Sequence, residues 1–145
     1  MLRLSRKADY ALIALKYLAQ QGQSDSVSAG DIAARYGIST PLLAKVLQRL
    51  AKKGIVAARH GSSGGYTLAR DPSAITALDV VEAIEGPMSI TSCTTSRGDC
   101  DYLTNCTVRN SLRRVNATVL QVLTKVTLSE LAEEEPASPV IGLRP

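Results

Sequence analysis

The three cysteines of this 145-residue chain, Cys93, Cys100 and Cys106, fall within fourteen residues of one another. Six and five residues separate them, mostly Thr, Ser, Asp, Asn and Arg. Buried structural thiols usually stand singly in apolar, periodic segments, so this grouping reads as chemistry. The thiolate is the form that ligates metals and attacks electrophiles. Three that converge supply all but one ligand of an iron–sulfur or zinc site. A thiol redox switch is a second reading of the same residues, and an incidental grouping a third. Softness does not separate zinc from iron–sulfur, because thiolate suits both. An odd count argues against a disulfide framework, and the spacing matches no generic C-x-x-C pattern.

The elements that must position these thiols are legible on both sides. A helix at about 76–85, capped by Thr76 or Ser73, is stopped by Gly86-Pro87. A polar loop from about Ser89 to Asn105 carries Cys93 and Cys100. A longer helix runs from Thr107 to about Lys125, with Val108, Leu112, Val115, Val119, Val122 and Leu123 along one side. Cys106 is therefore expected at a helix N-terminus, where the helix dipole favours its thiolate. A turn containing Leu128 and Leu131 follows. The acidic, Pro-containing tail over 133–145 is expected to be disordered.

Upstream, the pattern changes to short helices and a hairpin. Residues 5–21 read as a helix capped by Ser5, with Leu12, Ile13, Leu15, Tyr17 and Leu18 at helical spacing. Ser28-Ala-Gly-Asp31 resembles a capping box and opens a helix to about Arg35, which Gly37 ends. Thr40 as cap and Pro41 in the first turn open the next helix, which turns Leu43, Val46, Leu47 and Leu50 inward. Two strands, Ile55–Arg59 and Tyr66–Arg70, flank His60-Gly-Ser-Ser-Gly-Gly65. This order, helix, Gly turn, helix and Gly-rich hairpin, is that of a winged helix-turn-helix. The expected fold class is mainly α, with a small β-hairpin wing and a long C-terminal helix. Residues 1–75 form the DNA-binding domain, 76–132 the cysteine loop and long helix, and 133–145 the tail.

In such a fold the second helix enters the major groove of double-stranded DNA. Ser39, Thr40, Lys45, Gln48 and Arg49 would supply its polar face, donating to phosphates and base edges. At the wing, Arg59 and His60 flank Ser62, Ser63, Gly64, Gly65 and Tyr66, whose glycines would let backbone approach the sugar–phosphate chain. Charge agrees: residues 1–75 hold eleven Lys or Arg against four acids, a net +7, and the remainder carries −3. A basic front joined to a mildly acidic back suits a polyanion-binding module with a regulatory partner.

Composition narrows the classes further. Apolar residues make up 45%, with no Trp and no Phe, so the core must be aliphatic. No apolar run is long enough to span a bilayer and no secretory signal is evident, so no membrane partner and a cytoplasmic location are expected. No nucleophile–base pair, phosphate loop or carboxylate dyad stands out, so the chain is not expected to be an enzyme.

Four segments together resemble one family. They are Leu4-Ser-Arg-Lys-Ala-Asp9-Tyr10-Ala11, the wing Gly61-Ser-Ser-Gly-Gly-Tyr66, Val80-Val-Glu-Ala-Ile-Glu-Gly86-Pro87 and the three-cysteine loop. From about residue 2 to 132 the chain is similar to the Rrf-two-type family of bacterial winged-helix regulators. Within that group it most resembles regulators of SUF-type iron–sulfur assembly. The resemblance implies a homodimer paired through the long helix. It also implies an iron–sulfur cluster (2Fe-2S or 4Fe-4S) on Cys93, Cys100 and Cys106 that sets DNA affinity. IscR-like members place a fourth-ligand His where this chain has Arg109. NsrR-like members have an aspartate ligand that Asp9 matches, so Asp9 is carried as the fourth ligand, donated by the partner subunit. His60 stands where members usually have a wing Arg, and the wing should lie far from the cysteine loop.

The function expected is a cluster-dependent repressor of iron–sulfur assembly genes. A nitric-oxide or redox sensor built from the same parts is the near alternative. A zinc-stabilised DNA-binding protein without sensing is another, and an iron–sulfur electron carrier or scaffold with an acidic partner is a fourth.

Overall fold

A computed structural model describes residues 3–22, 24–95, 100–102 and 104–133. The element order is α1 (Arg6–Gln21), α2 (Ala29–Tyr36), α3 (Thr40–Lys52), β1 (Val56–Arg59), β2 (Gly65–Leu68), α4 (Ala77–Glu85), α5 (Arg109–Lys125) and α6 (Leu128–Glu133). This is the mainly α, winged architecture read from the pattern. Residues 134–145, most of the expected tail, lie outside the described residues.

Helix α1 starts where expected, with Ser5 Oγ accepting the Ala8 N–H at 3.2 Å. Its innermost residues are Ala8, Ala11, Ala14, Leu15 and Leu18, whereas Leu12, Ile13 and Tyr17 are only half-buried. Small side chains at that spacing let α3, α4 and α6 all pack against α1. Ser28 Oγ accepts the Asp31 N–H at 3.1 Å and opens α2. Gly37, at φ 64°, takes the left-handed position that ends it and donates to the Ala33 carbonyl.

Helix α3 differs by one residue from expectation. Ser39 is the cap position and makes no side-chain capping bond, so Thr40 is the first helical residue. Pro41 lacks the N–H that a cap would otherwise satisfy in that turn. Leu43, Val46, Leu47 and Leu50 are all buried, as their spacing requires.

The wing is an antiparallel pair with Val56 opposite Leu68 and Arg59 opposite Gly65. A third segment joins it: Val27 N–H donates to Tyr66 O at 3.0 Å, and Tyr66 N–H returns to Val27 O at 2.8 Å. A Cβ on Gly65 would stand 2.5 Å from the Val27 carbonyl carbon and oxygen. One on Gly64 would stand 2.7 Å from the carbonyl oxygens of Arg59 and Gly61. These two glycines are demanded by the chain's own backbone, a different reason from the close approach to DNA expected of them.

Asp71 opens a 3-10 turn over Pro72–Ala74, accepting from Ser73 Oγ at 2.6 Å and Ser73 N at 2.9 Å. Those bonds hold its carboxyl below the usual range. Ser73 lies inside that turn, so Thr76 caps α4: its hydroxyl accepts the Asp79 N–H while Asp79 accepts the Thr76 N–H. The segment with Leu128 and Leu131 is a helix, α6, instead of a turn. A short antiparallel bridge positions it, with Ala77 N–H to Val126 O and Leu128 N–H to Ile75 O, both 2.8 Å. Leu128 then enters the same hydrophobic cluster as Leu15, Leu47, Val80 and Ile84. Helix α5 contributes no buried residue. Among the described residues no helix is long and apolar enough to cross a membrane.

Changing Gly65 to Ala forces the wing away from Val27, and overpacking of this kind costs about 1–3 kcal/mol. Thermal unfolding should show a lowered Tm. A variant as stable as the parent would mean that the Val27–Tyr66 bridge does not hold the wing.

Candidate nucleic-acid interface and cysteine loop

The inner face of α3 is consumed by the core, which leaves its other face free. Thr40, Pro41, Lys45, Gln48, Arg49 and Lys52 are exposed, as is Ser39 before them. Lys45, Gln48 and Arg49 stand at i, i+3 and i+4 and share one face. The structure thus gathers all five expected helix residues on the solvent side of α3. Helix α2 braces α3 from behind, and Arg35 stacks over Tyr17 with 5.2 Å to the ring centroid.

At the wing, Arg59 and His60 are exposed, together with Ser62 and Ser63. Ser63 is tied down through its carbonyl, which accepts Ser26 Oγ–H at 2.6 Å. Gly64, Gly65 and Tyr66 are only half-exposed and turn toward the protein. Tyr66 packs against the core, so its conformation is accounted for without a nucleic acid.

Cys93, Cys100 and Cys106 are all half-buried free thiols. Cys93 lies in a 3-10 turn over Ser92–Thr94, with its Sγ 3.1 Å from Thr91 Oγ1. Ser89, Thr91 and Thr94 join in a hydroxyl network around it. Cys106 stands three residues before the first residue of α5, because the helix begins at Arg109 and not at Thr107. The dipole effect expected for it falls off within the first turn, so it is weaker than the sequence implied. Among the described residues no group of three or more His, Cys, Asp or Glu side chains is close enough to hold a metal ion. The thiols share one loop without being gathered on one centre, and Asp9 is exposed on the first turn of α1.

The start of the loop is anchored twice. Ile90 N–H donates to Asn116 Oδ1 on α5 at 2.9 Å. Met88 N–H donates to Glu82 Oε1 at 3.2 Å, and Ser5 N–H to Glu85 Oε1 at 2.6 Å. Helix α4 therefore holds the start of the loop with one carboxylate and the start of α1 with another. At the far end, Arg109 Nε is buried and has no hydrogen-bond partner among the described residues.

A family model described as Rrf2, an iron-dependent transcriptional regulator, matches residues 4–134. This chain belongs to the Rrf2 family. It is 34% identical over 130 residues to the HTH-type transcriptional regulator IscR of Vibrio cholerae, covering 90% of this chain and 75% of that protein. It is 33% identical to IscR of Yersinia pseudotuberculosis, over 92% of this chain and 81% of that one. Among solved structures it is similar to CymR, the global cysteine regulator of B. subtilis, at 30% identity and a TM-score of 0.76. That likeness covers 91% of this chain and 97% of CymR. The T. potens IscR structure matches with 27% identity and a TM-score of 0.71, covering 94% of each chain. This Rrf2 chain is accordingly a DNA-binding transcription regulator and not an enzyme.

Four residues of this Rrf2 regulator gain a place that sequence reasoning did not give them. Asn116 and Glu82 pin the loop, Glu85 holds the start of α1, and Arg109 keeps a buried N–H just past the cysteine segment. Only the last carried a signal, as the departure from the His of IscR-like members. The others are polar residues on amphipathic helices, indistinguishable by spacing from a solvated face.

Replacing Lys45 and Arg59 by Ala should weaken DNA binding on every sequence and flatten its salt dependence, since each removes an exposed cation that a phosphate would pair with. Gel-shift titration at several salt concentrations checks this. Affinity equal to the parent's would remove α3 and the wing from the interface.

Proposed function

We propose that this Rrf2 chain is a homodimeric, iron–sulfur-dependent repressor whose targets are genes of SUF-type cluster assembly. The observation that carries the reading is the set of three half-buried free thiols in one loop whose start is hydrogen-bonded to both α4 and α5. The donor chemistry fits an iron–sulfur centre: three thiolates to ligate, and in Arg109 Nε a buried N–H without an acceptor, suited to an anionic, sulfur-rich neighbour. Cys93, Cys100 and Cys106 would hold the cluster, 2Fe-2S or 4Fe-4S, and Asp9 from the partner subunit would be the fourth ligand. When bound, the cluster supplies a centre sensitive to iron supply, oxidants and nitric oxide.

The chain's own residues do the rest. Ligation requires the three thiols to be drawn together, so binding imposes one order on the residues that carry them. Met88 and Ile90 transmit that ordering to α4 and α5 through Glu82 and Asn116. Through Glu85, α4 also touches the start of α1, and through Ile84 it packs in the core under α3. The relatives' name IscR, and the family's description as iron-dependent, support the reading. The exposed Asp9 would add an oxygen ligand, which leaves the cluster more open to exchange than nitrogen or sulfur would. That lability suits a sensor.

The dimer rests on α5. Val108, Val115 and Val122 recur every seven residues and are 54%, 51% and 56% exposed. Half-buried Leu112 and Val119 fall between them, so the stripe alternates steps of four and three, the pattern of a two-helix seam. The mate we assign to it is the α5 of a second copy.

Anaerobically purified protein should be coloured and contain iron and acid-labile sulfide. Cys93→Ser, Cys100→Ser or Cys106→Ser should abolish both, and Asp9→Ala should shorten the cluster's lifetime in air. Stoichiometric zinc with no iron would overturn the cluster reading in favour of a structural metal. Genome-wide occupancy with and without iron then separates assembly genes from a nitric-oxide response. Val115→Asp should convert a dimer to a monomer in analytical ultracentrifugation, and a parent that already sediments as a monomer would refute the pairing.

A further inference from the structure

A cleft of about 260 Å³ lies between α1, α3 and α4, lined by Lys7, Leu42, Lys45, Val46, Arg49 and Ile84. Three of its six lining residues are cations and none is acidic. Val46 and Ile84 are buried and Leu42 half-buried, so the floor is apolar, while Lys7, Lys45 and Arg49 are exposed. An apolar base under three converging cations suits a phosphodiester, with charged oxygens at the cations and the sugar against the aliphatic side chains.

We propose that this cleft seats one phosphate of the DNA backbone, and that Lys7 of α1 is a phosphate-binding residue of this regulator. The seat opens on the α3 face that carries Lys45 and Arg49, so a strand flanking α3 in the major groove passes over it. Lys7 comes from a different helix, which makes the seat a clamp across two elements and not an extension of the α3 stripe. Its turn is fixed from both sides. Ser5 Oγ accepts the Ala8 N–H at 3.2 Å, and Glu85 Oε1 accepts the Ser5 N–H at 2.6 Å. Glu85 is thus a positioning residue: it holds the turn that presents Lys7, from the same helix that supplies Ile84 to the cleft floor. The proposal rests on the DNA-binding role of α3 and is independent of whether a cluster is bound.

The test is a salt titration of binding to two duplexes of unrelated sequence, comparing parent, Lys7→Gln and Lys125→Gln. The last removes an equal charge at the far end of α5. One lost phosphate contact lowers the slope of log K against log [salt] by about 0.9 per bound protomer. Lys7→Gln should therefore lose about 3.5-fold less affinity than the parent between 50 and 200 mM salt for one bound protomer, and about 12-fold less for a bound dimer, equally on both duplexes. Lys125→Gln should match the parent. If the parent binds and Lys7→Gln keeps the parent's slope, the seat is not a DNA contact. An effect on one duplex only would make Lys7 a base-reading residue and overturn the proposal. A parent that binds neither duplex would instead remove the DNA role of α3 itself. In a parallel arm, inorganic phosphate replaces chloride at equal ionic strength. Inhibition that is stronger for the parent than for Lys7→Gln would reassign the seat to a free anion.

Discussion

The structure depends on how closely other helices can approach α1. Ala8, Ala11 and Ala14 are each 0% exposed, and with Leu15 and Leu18 they form a face too thin to hold α3, α4 and α6 apart. A longer side chain at any of the three alanines would have no space without displacing a neighbour, because interiors are packed to crystal-like density. The consequence is that α1 is the element on which the rest of the chain is assembled. Leu128, far downstream, completes the same cluster.

That shared core gives the two halves of the molecule a mechanical relation. Helix α4 buries Val80, Val81, Ala83 and Ile84, yet uses its polar edge at both ends of the problem. Glu82 holds the first residue of the cysteine segment's approach, and Glu85 holds the backbone before α1. The bonds are short-range and directional, so a shift of the loop cannot leave α4 indifferent. The bridge between Thr76 and Thr127 closes the circuit by tying the start of α4 to the end of α5.

Helix α5 stands apart from this economy. It buries nothing fully within one chain, and it keeps Val115 and Val122, like the cap residue Val108, more than half exposed. Isolated exposed apolar side chains are ordinary, but a seven-residue repeat of them along one helix is a patch with direction. The adjoining face is engaged through Asn116 and through packing on α4. The helix is thereby oriented, with its valine stripe turned outward and its N-terminus carrying the end of the cysteine loop.

The hydrophobic periodicity of the sequence determined the helices, the inward face of α3 and the paired strands, because those depend on which side of an element is apolar. Local capping chemistry determined the starts of α1 and α4 and the Gly37 stop. The polar face of α3 followed by subtraction, and the thiols were visible as residue types in one loop. Only tertiary structure decided the rest. Alanine carries little periodic signal, so the true inner face of α1 was hidden behind Leu12, Ile13 and Tyr17. That the neighbouring backbone of Val27, Arg59 and Gly61 also demands Gly64 and Gly65 showed only in the tertiary structure. The segment at Leu128 was too short for a helical repeat to show, and it became a helix because a bridge and a core site received it. Lys7 joins Lys45 and Arg49 only because α1 and α3 pack side by side, a proximity that residues 38 and 42 positions apart in the chain do not announce.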